Sequence, residues 1–208
     1  MQIFETLYDV VQDMVSTLEI EELLKRVLDN AIQGANAERG FILIKEGDDF
    51  SLRIARNIDR KDIETELSKT VVKEIIDGKK PVLTFDATLD PRFKNAPSIA
   101  MSDVRSICAV PLLLGENIVG VIYVDSSRGK GLFTSDTLKF LVLFSNLASI
   151  AFKNAKNYSS LKEEHKILKR RAGFGEIVGE SPPMQRVFNL IEKAAGSHAN
   201  LPSRGGHS

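Results

Sequence analysis

With 208 residues, 43% of them hydrophobic, the chain can hold one sizeable core, since a domain of about 150 residues buries roughly 70% of its unfolded surface; a second complete domain would not fit easily beside it. Its 28 basic and 28 acidic residues cancel, which leaves no basic footprint and predicts no nucleic-acid partner for this segment. The single cysteine excludes an internal disulfide framework and a multi-cysteine zinc site and suits a reducing compartment. With neither a signal peptide nor an apolar run of about 18 residues, the expectation is a soluble, cytoplasmic protein with no membrane partner.

In chain order, Ile3, Leu7, Val10, Met14 and Leu18 form one narrow apolar stripe at helical spacing over residues 1–18. A wider stripe follows at Ile20, Leu23, Leu24, Val27, Leu28, Ala31 and Ile32, with Glu19, Glu21 and Glu22 where carboxylates favour the helix dipole. Gly34 and Gly40 bracket the end of this helix. Residues 39–45 then read as a buried strand, 46–49 as its turn, and 50–57 as the partner strand, with apolar Leu52 and Ile54 set against Arg53, Ala55 and Arg56. Leu67, Val71, Val72, Ile75 and Ile76 share one face of a helix over 67–77 that Gly78 stops. A short strand over 81–85 leads to residues 86–103, whose prolines and weak periodicity predict a long loop with one helical turn.

Residues 105–126, RSICAVPLLLGENIVGVIYVDS, organise the rest. Two runs rich in Val, Ile and Leu flank Gly115-Glu116-Asn117, which predicts an antiparallel hairpin. Apolar side chains on both strand parities imply packing on both faces. Pro111 lacks a ladder donor, so it belongs at a bulge or an edge. After a glycine turn at 128–131, Thr134 or Ser135 caps a helix that can run unbroken to Arg171. This order predicts an α+β domain, an antiparallel sheet with helices on its faces and a long C-terminal helix.

From about Ile20 to Asn157, these elements and the stretches RSICAVPLLLGENIVGVIYVDS and GLFTSDTLKFLVLFSNLASIAFKNA resemble a GAF domain, a small-molecule sensor module of signalling proteins. Residues 174–195, FGEIVGESPPMQRVFNLIEKAA, resemble the opening of the AAA+ ATPase domain of bacterial transcription activators that work with sigma-54 RNA polymerase; Ile177-Val178-Gly179 would be the strand edge by the adenine. The two resemblances divide the chain into a sensor domain with its N-terminal helix (1–157), a helical linker (158–173) and a truncated ATPase start (174–195). Residues 196–208 read as a disordered or vector-derived tail. No glycine-rich phosphate loop ending in Gly-Lys comes after the ATPase-like stretch, so this chain is expected not to hydrolyse ATP. The resemblance implies a regulatory homodimer that senses a small-molecule effector, needs no resident cofactor or metal, and controls its own AAA+ domain and through it sigma-54 RNA polymerase.

In the family, ligands sit between one sheet face and the segment before the central hairpin, here residues 84–105. Thr84, Asp86, Phe93, Met101, Asp103, Arg105, Cys108, Tyr123 and Asp125 are the candidates to reach such a cavity. Several have a plainer reading: a surface pair for Arg105 with Asp103, a small core hydrophobe for Cys108, a core ring with a satisfied hydroxyl for Tyr123. Nitric-oxide-sensing activators of this class hold a non-haem iron with carboxylates, an arginine and a cysteine, and Asp103, Arg105, Cys108 and Asp125 are partly similar in distribution. The family's cyclic-nucleotide signature is fragmentary: Phe133 and Asp136 are present, but Ser126-Ser127 replace Asn-Lys and Thr137 replaces Glu. Reduction of free methionine sulfoxide needs several cysteines. A small carboxylate metabolite remains, clamped by Arg56, Arg92 or Arg105, beside the alternative of a collapsed pocket in a purely structural, inhibitory dimer module. On the output side, Tyr158, Leu161, His165 and Leu168 recur at the 3.5-residue spacing of a two-stranded coiled-coil seam.

Overall fold

The computed structural model describes residues 19–64, 67–96, 99 and 103–177. The helix expected over 1–18, Met101 and residues 178–208 lie outside the described residues. Helix α1 (Ile20–Ala35) buries Leu23, Leu24, Val27, Leu28, Ala31 and Ile32, the stripe read from the sequence. It ends between Gly34 and Gly40, as expected. Asn36 closes it in the left-handed region at φ 52°, with its N–H on Gln33 O. Gly34 answers a packing need, because a Cβ there would lie 2.2 Å from the ring of Phe140.

Strands β1 (Arg39–Glu46) and β2 (Asp49–Asn57) form an antiparallel hairpin that turns at Gly47, φ 64°. A bulge interrupts their register: Ile42 pairs with Ile54 and Leu43 with Leu52, which leaves Arg53 unpaired in the ladder. Leu52 and Ile54, which strict alternation would put on one face, therefore face opposite sides. Helix α2 (Lys69–Gly78) buries Val71, Val72 and Ile75. Its left-handed terminator is Lys79 at φ 50°, not Gly78, and the Lys79 ammonium donates to Glu116 O at 2.9 Å.

Strand β3 (Val82–Thr84) leads into hydrogen-bonded turns through residue 95. The central hairpin is β4 (Ser106–Leu114) and β5 (Asn117–Ser126), turning at Gly115, φ 63°. All neighbours in the sheet order β2-β1-β5-β4-β3 are antiparallel. Because β3 pairs only with Ile107–Ala109, Pro111 lies where β4 has become an edge, next to a register shift at Leu112/Leu113. The sequence expectation for that proline holds on both counts.

Helix α3 (Ser135–Ile177) opens with a capping box, in which the Thr137 N–H donates to Thr134 Oγ1 and the Thr134 N–H to Thr137 Oγ1. It runs past Arg171 and through Ile177, where the ATPase resemblance implies a strand edge. One stretch of α3 is long and apolar enough to cross a membrane, contrary to the reading of the bare sequence. Leu141, Phe144, Ala148, Ala151, Phe152 and Ala155 are nevertheless buried in the protein, as in a core helix. Residues through Ser159 make one compact unit, and those from Ser160 belong to a second.

Each face of the sheet carries its own core. On one, Ile42, Ile44, Cys108, Val110, Leu112, Ile122 and Val124 pack with α1 and α3. On the other, Phe41, Leu43, Ile107, Ala109, Val121 and Tyr123 pack with α2 and with Ala87, Phe93, Ala96, Ile99 and Val104 of the 85–105 segment.

Candidate functional site

The described residues of the 85–105 segment place Ala87, Phe93, Ala96, Ile99 and Val104 against one face of the sheet. Phe93, Ile99 and Val104 are buried in one cluster with Ile107 and Tyr123. The Phe93 ring carries the Arg92 guanidinium 4.8 Å from its centroid. Arg92 also grips Asp90 with two nitrogens, at 3.0 and 2.7 Å. Thr84 is buried, and its hydroxyl accepts the Ile107 N–H at 3.1 Å.

Asp86, just past β3, anchors a polar network. Its Oδ1 accepts from the Thr88 N–H at 3.0 Å and the Thr88 hydroxyl at 2.7 Å, while Oδ2 meets the Lys130 ammonium at 2.8 Å. Lys130 first and Thr88 second hold this carboxyl down to about 2. Arg105 Nη1 donates to Thr88 Oγ1 at 3.3 Å, so Arg105 and Asp86 share one intermediary. Beside them the Gly131 N–H donates to Phe85 O at 2.8 Å, and Ser106 Oγ donates to Gly129 O and accepts the Leu132 N–H. These contacts fasten the segment after β3 to the 127–133 connection, just ahead of α3.

Tyr123 and Asp125 stand on the same face. The Tyr123 ring meets Phe41 edge-on at 5.5 Å, and its hydroxyl takes the Ser68 N–H. Burial, with the Asp125 charge added, pushes the phenol well above its ordinary range. Asp125, 1% exposed, is held by Arg39 through a two-pronged pair at 2.8 and 2.9 Å. Burial raises this carboxyl more than the guanidinium lowers it. Sequence reasoning missed Arg39, because the pairing of β1 with β5 that sets it beside Asp125 is non-local and neither hairpin specifies it.

Cys108 is elsewhere. Its neighbour Ile107 faces Asp125, so Cys108 points to the opposite side, among the apolar residues of α1 and α3. Burial pushes the thiol up to about 12. An iron set of Cys108 with Asp125 would have to reach through the sheet, and no metal-holding group of three His, Cys, Asp or Glu occurs among the described residues. Arg56 also faces the α1 side, paired with Asp29 at 2.9 Å. Of the three arginines expected as alternative carboxylate clamps, Arg56 is thus engaged on the α1 side, while Arg92 holds Asp90 and Arg105 donates to Thr88.

A cleft that the sequence did not reveal opens between α2 and the β1–β2 hairpin, with a volume of about 550 Å³. Leu43, Phe50, Leu52, Leu67, Val72 and Ile76 line it together with Asp48, Asp49, Lys69 and Lys73. Leu52 is 44% exposed there because the bulge at Arg53 turns it to this face.

On α3, Tyr158, Leu161 and Leu168 are exposed, Leu161 at 64%, and His165 is exposed beside them. These four are the predicted seam residues.

Residues 17–153 match the family model described as GAF domain. The chain is similar to the formate hydrogenlyase transcriptional activator of Salmonella typhimurium, 24% identical, with 95% of this chain and 32% of the activator covered. It is also similar to the Nif-specific regulatory protein of Herbaspirillum seropedicae, 23% identical over 96% of this chain and 40% of that protein. The chain thus spans well under half the length of these curated relatives. Among solved structures, the GAF domain of a Coxiella burnetii phosphoenolpyruvate-protein phosphotransferase is similar at TM-score 0.60 and 15% identity, covering 76% of this chain and 96% of that one. The A. aeolicus nlh2 GAF domain in an inactive state is similar at TM-score 0.54 and 19% identity, covering 73% and 98%. At such identities these structures speak for the fold alone.

Proposed function

The chain belongs to the GAF domain family, and from that premise we propose that it is the regulatory region of a bacterial transcription activator of the sigma-54 class. In this reading it works in the cytoplasm as a homodimer, senses a small-molecule effector, and governs an AAA+ ATPase without performing catalysis itself. The transcriptional regulators among its relatives support this, as does the ATPase-like stretch at 174–195.

One observation carries the output side. Helix α3 is a single element, Ser135–Ile177, whose early residues are core and whose later apolar residues, Tyr158, Leu161 and Leu168, are exposed. Such a stripe on an otherwise charged helix suits pairing with a second copy. The network from Asp86 to Lys130 and from Phe85 to Gly131 gives the sensor a mechanical connection to the start of that helix. An effector can act through it only by favouring one arrangement over the other.

A ligand-free dimerisation module is the second reading, favoured by the burial of Phe93, Ile99 and Val104 against Ile107 and Tyr123. Native mass spectrometry of the wild type and of Leu161→Lys tests the shared core of both. The expectation is a wild-type dimer that the lysine converts to monomer, with loss of regulated transcription in the complete protein. A wild-type monomer contradicts the proposal, and so does a Leu161→Lys protein that is still dimeric.

A further inference from the structure

The cleft between α2 and the β1–β2 hairpin combines three features. Its floor is apolar: Leu43 and Leu52 are cross-strand partners, Phe50 lies beside them, and Val72 and Ile76 come from α2. Lys69 and Lys73, one helical turn apart, supply two positive charges from the helix wall, and Asp48 and Asp49 supply two negative charges from the hairpin turn. Among the described residues none of these four charges forms an ion pair, so all remain exposed to a partner. A volume of about 550 Å³ lies in the range of small-molecule sites.

We propose that this cleft binds a small zwitterion with an apolar body, a free apolar amino acid or a short apolar peptide. The carboxylate goes to Lys69 and Lys73, the ammonium to Asp48 and Asp49, and the apolar body covers Leu43, Phe50 and Leu52. A purely apolar ligand would leave four charges unused, and a simple anion would meet Asp48 and Asp49 unfavourably. Charge complementarity of both signs over an apolar floor selects the zwitterion. The inference rests on the sensing half of the proposed function and names its ligand class. It also places the ligand away from the buried cluster of Phe93, Ile99 and Val104.

The test is calorimetric titration of the 208-residue chain with L-leucine, L-phenylalanine and the dipeptide Leu-Leu, alongside 4-methylpentanoate, which lacks the ammonium, and isoamylamine, which lacks the carboxylate. Saturable binding of a zwitterion, about tenfold or more tighter than both single-charge analogues, is expected. The ranking of the amino acids against the dipeptide distinguishes the two sources. Replacing Lys69 and Lys73 together by Gln should weaken zwitterion binding to the level of isoamylamine, and replacing Asp48 and Asp49 by Asn to that of 4-methylpentanoate. All four side chains are exposed, so the folded chain should survive, with an unchanged melting temperature as control. No saturable zwitterion binding at millimolar concentration, equal binding of either analogue, or indifference to both double substitutions overturns the proposal. Because the assay reads binding alone, a zwitterion that binds without altering transcription would count against the regulatory reading and not against the site.

Discussion

Asp86 joins the segment after β3 to the connection that precedes α3. Its carboxyl, held down to about 2 against an ordinary 3.8 by Lys130 and Thr88, gives stability that is fully present above pH about 3.8 and lost as pH falls through about 2. Asp86→Asn should remove that acid-side component from a stability-against-pH curve followed by circular dichroism; an unchanged curve would show that Asp86 carries no such linkage. The buried pair of Asp125 and Arg39 makes a different, asymmetric prediction. Arg39→Ala strands a charge on a carboxyl that is 1% exposed and should cost about 3–5 kcal/mol. Asp125→Ala leaves a guanidinium that already reaches solvent and lies over the Phe41 ring, and should cost less, which urea melts of the two variants would show. Equal losses would mean that the pair, and not the stranded carboxylate, sets the energy.

At the level of elements, Gly34 sets helix propensity against packing. Alanine there should gain up to about 1 kcal/mol of helix propensity, yet its Cβ would sit 2.2 Å from the Phe140 ring, and overpacking costs about 1–3 kcal/mol. Gly34→Ala is therefore expected to destabilise the protein, and adding Phe140→Ala should recover part of the loss; a stabilised single variant would contradict the close approach of α1 to α3. Nothing in the local sequence signals that contact, so Gly34 reads only as one bracket of the helix end. The bulge at Arg53 is equally silent, and with it the turn of Leu52 toward α2 and the cleft that results. By contrast, the central hairpin, the stripe of α1 and the Thr134 cap are legible, because each is written in spacing or in local hydrogen-bonding chemistry. Parity along β4 and β5 also contains the separation of Cys108 from Asp125, once the register is known. The predicted cavity under residues 84–105 is not readable in this way, since whether Phe93, Ile99 and Val104 line a space or fill it depends on packing.

At the scale of the unit that ends at Ser159, a two-faced sheet is packed by α1, α2 and the first part of α3. Both faces carry a core, and the α2 face also bears the polar network and the cleft. In the proposed mechanism, signals cross because Asp86 and Phe85 fasten the segment after β3, and Ser106 the start of β4, to the connection before α3. Residues 1–157 would then regulate the ATPase domain of the complete activator. The most direct test is the rate of transcription activation, with ATPase activity in parallel, by the complete protein with and without residues 1–157. Removal should change both rates, whichever the sign, and abolish their dependence on effector. Identical rates and an unaltered effector response would contradict the regulatory role.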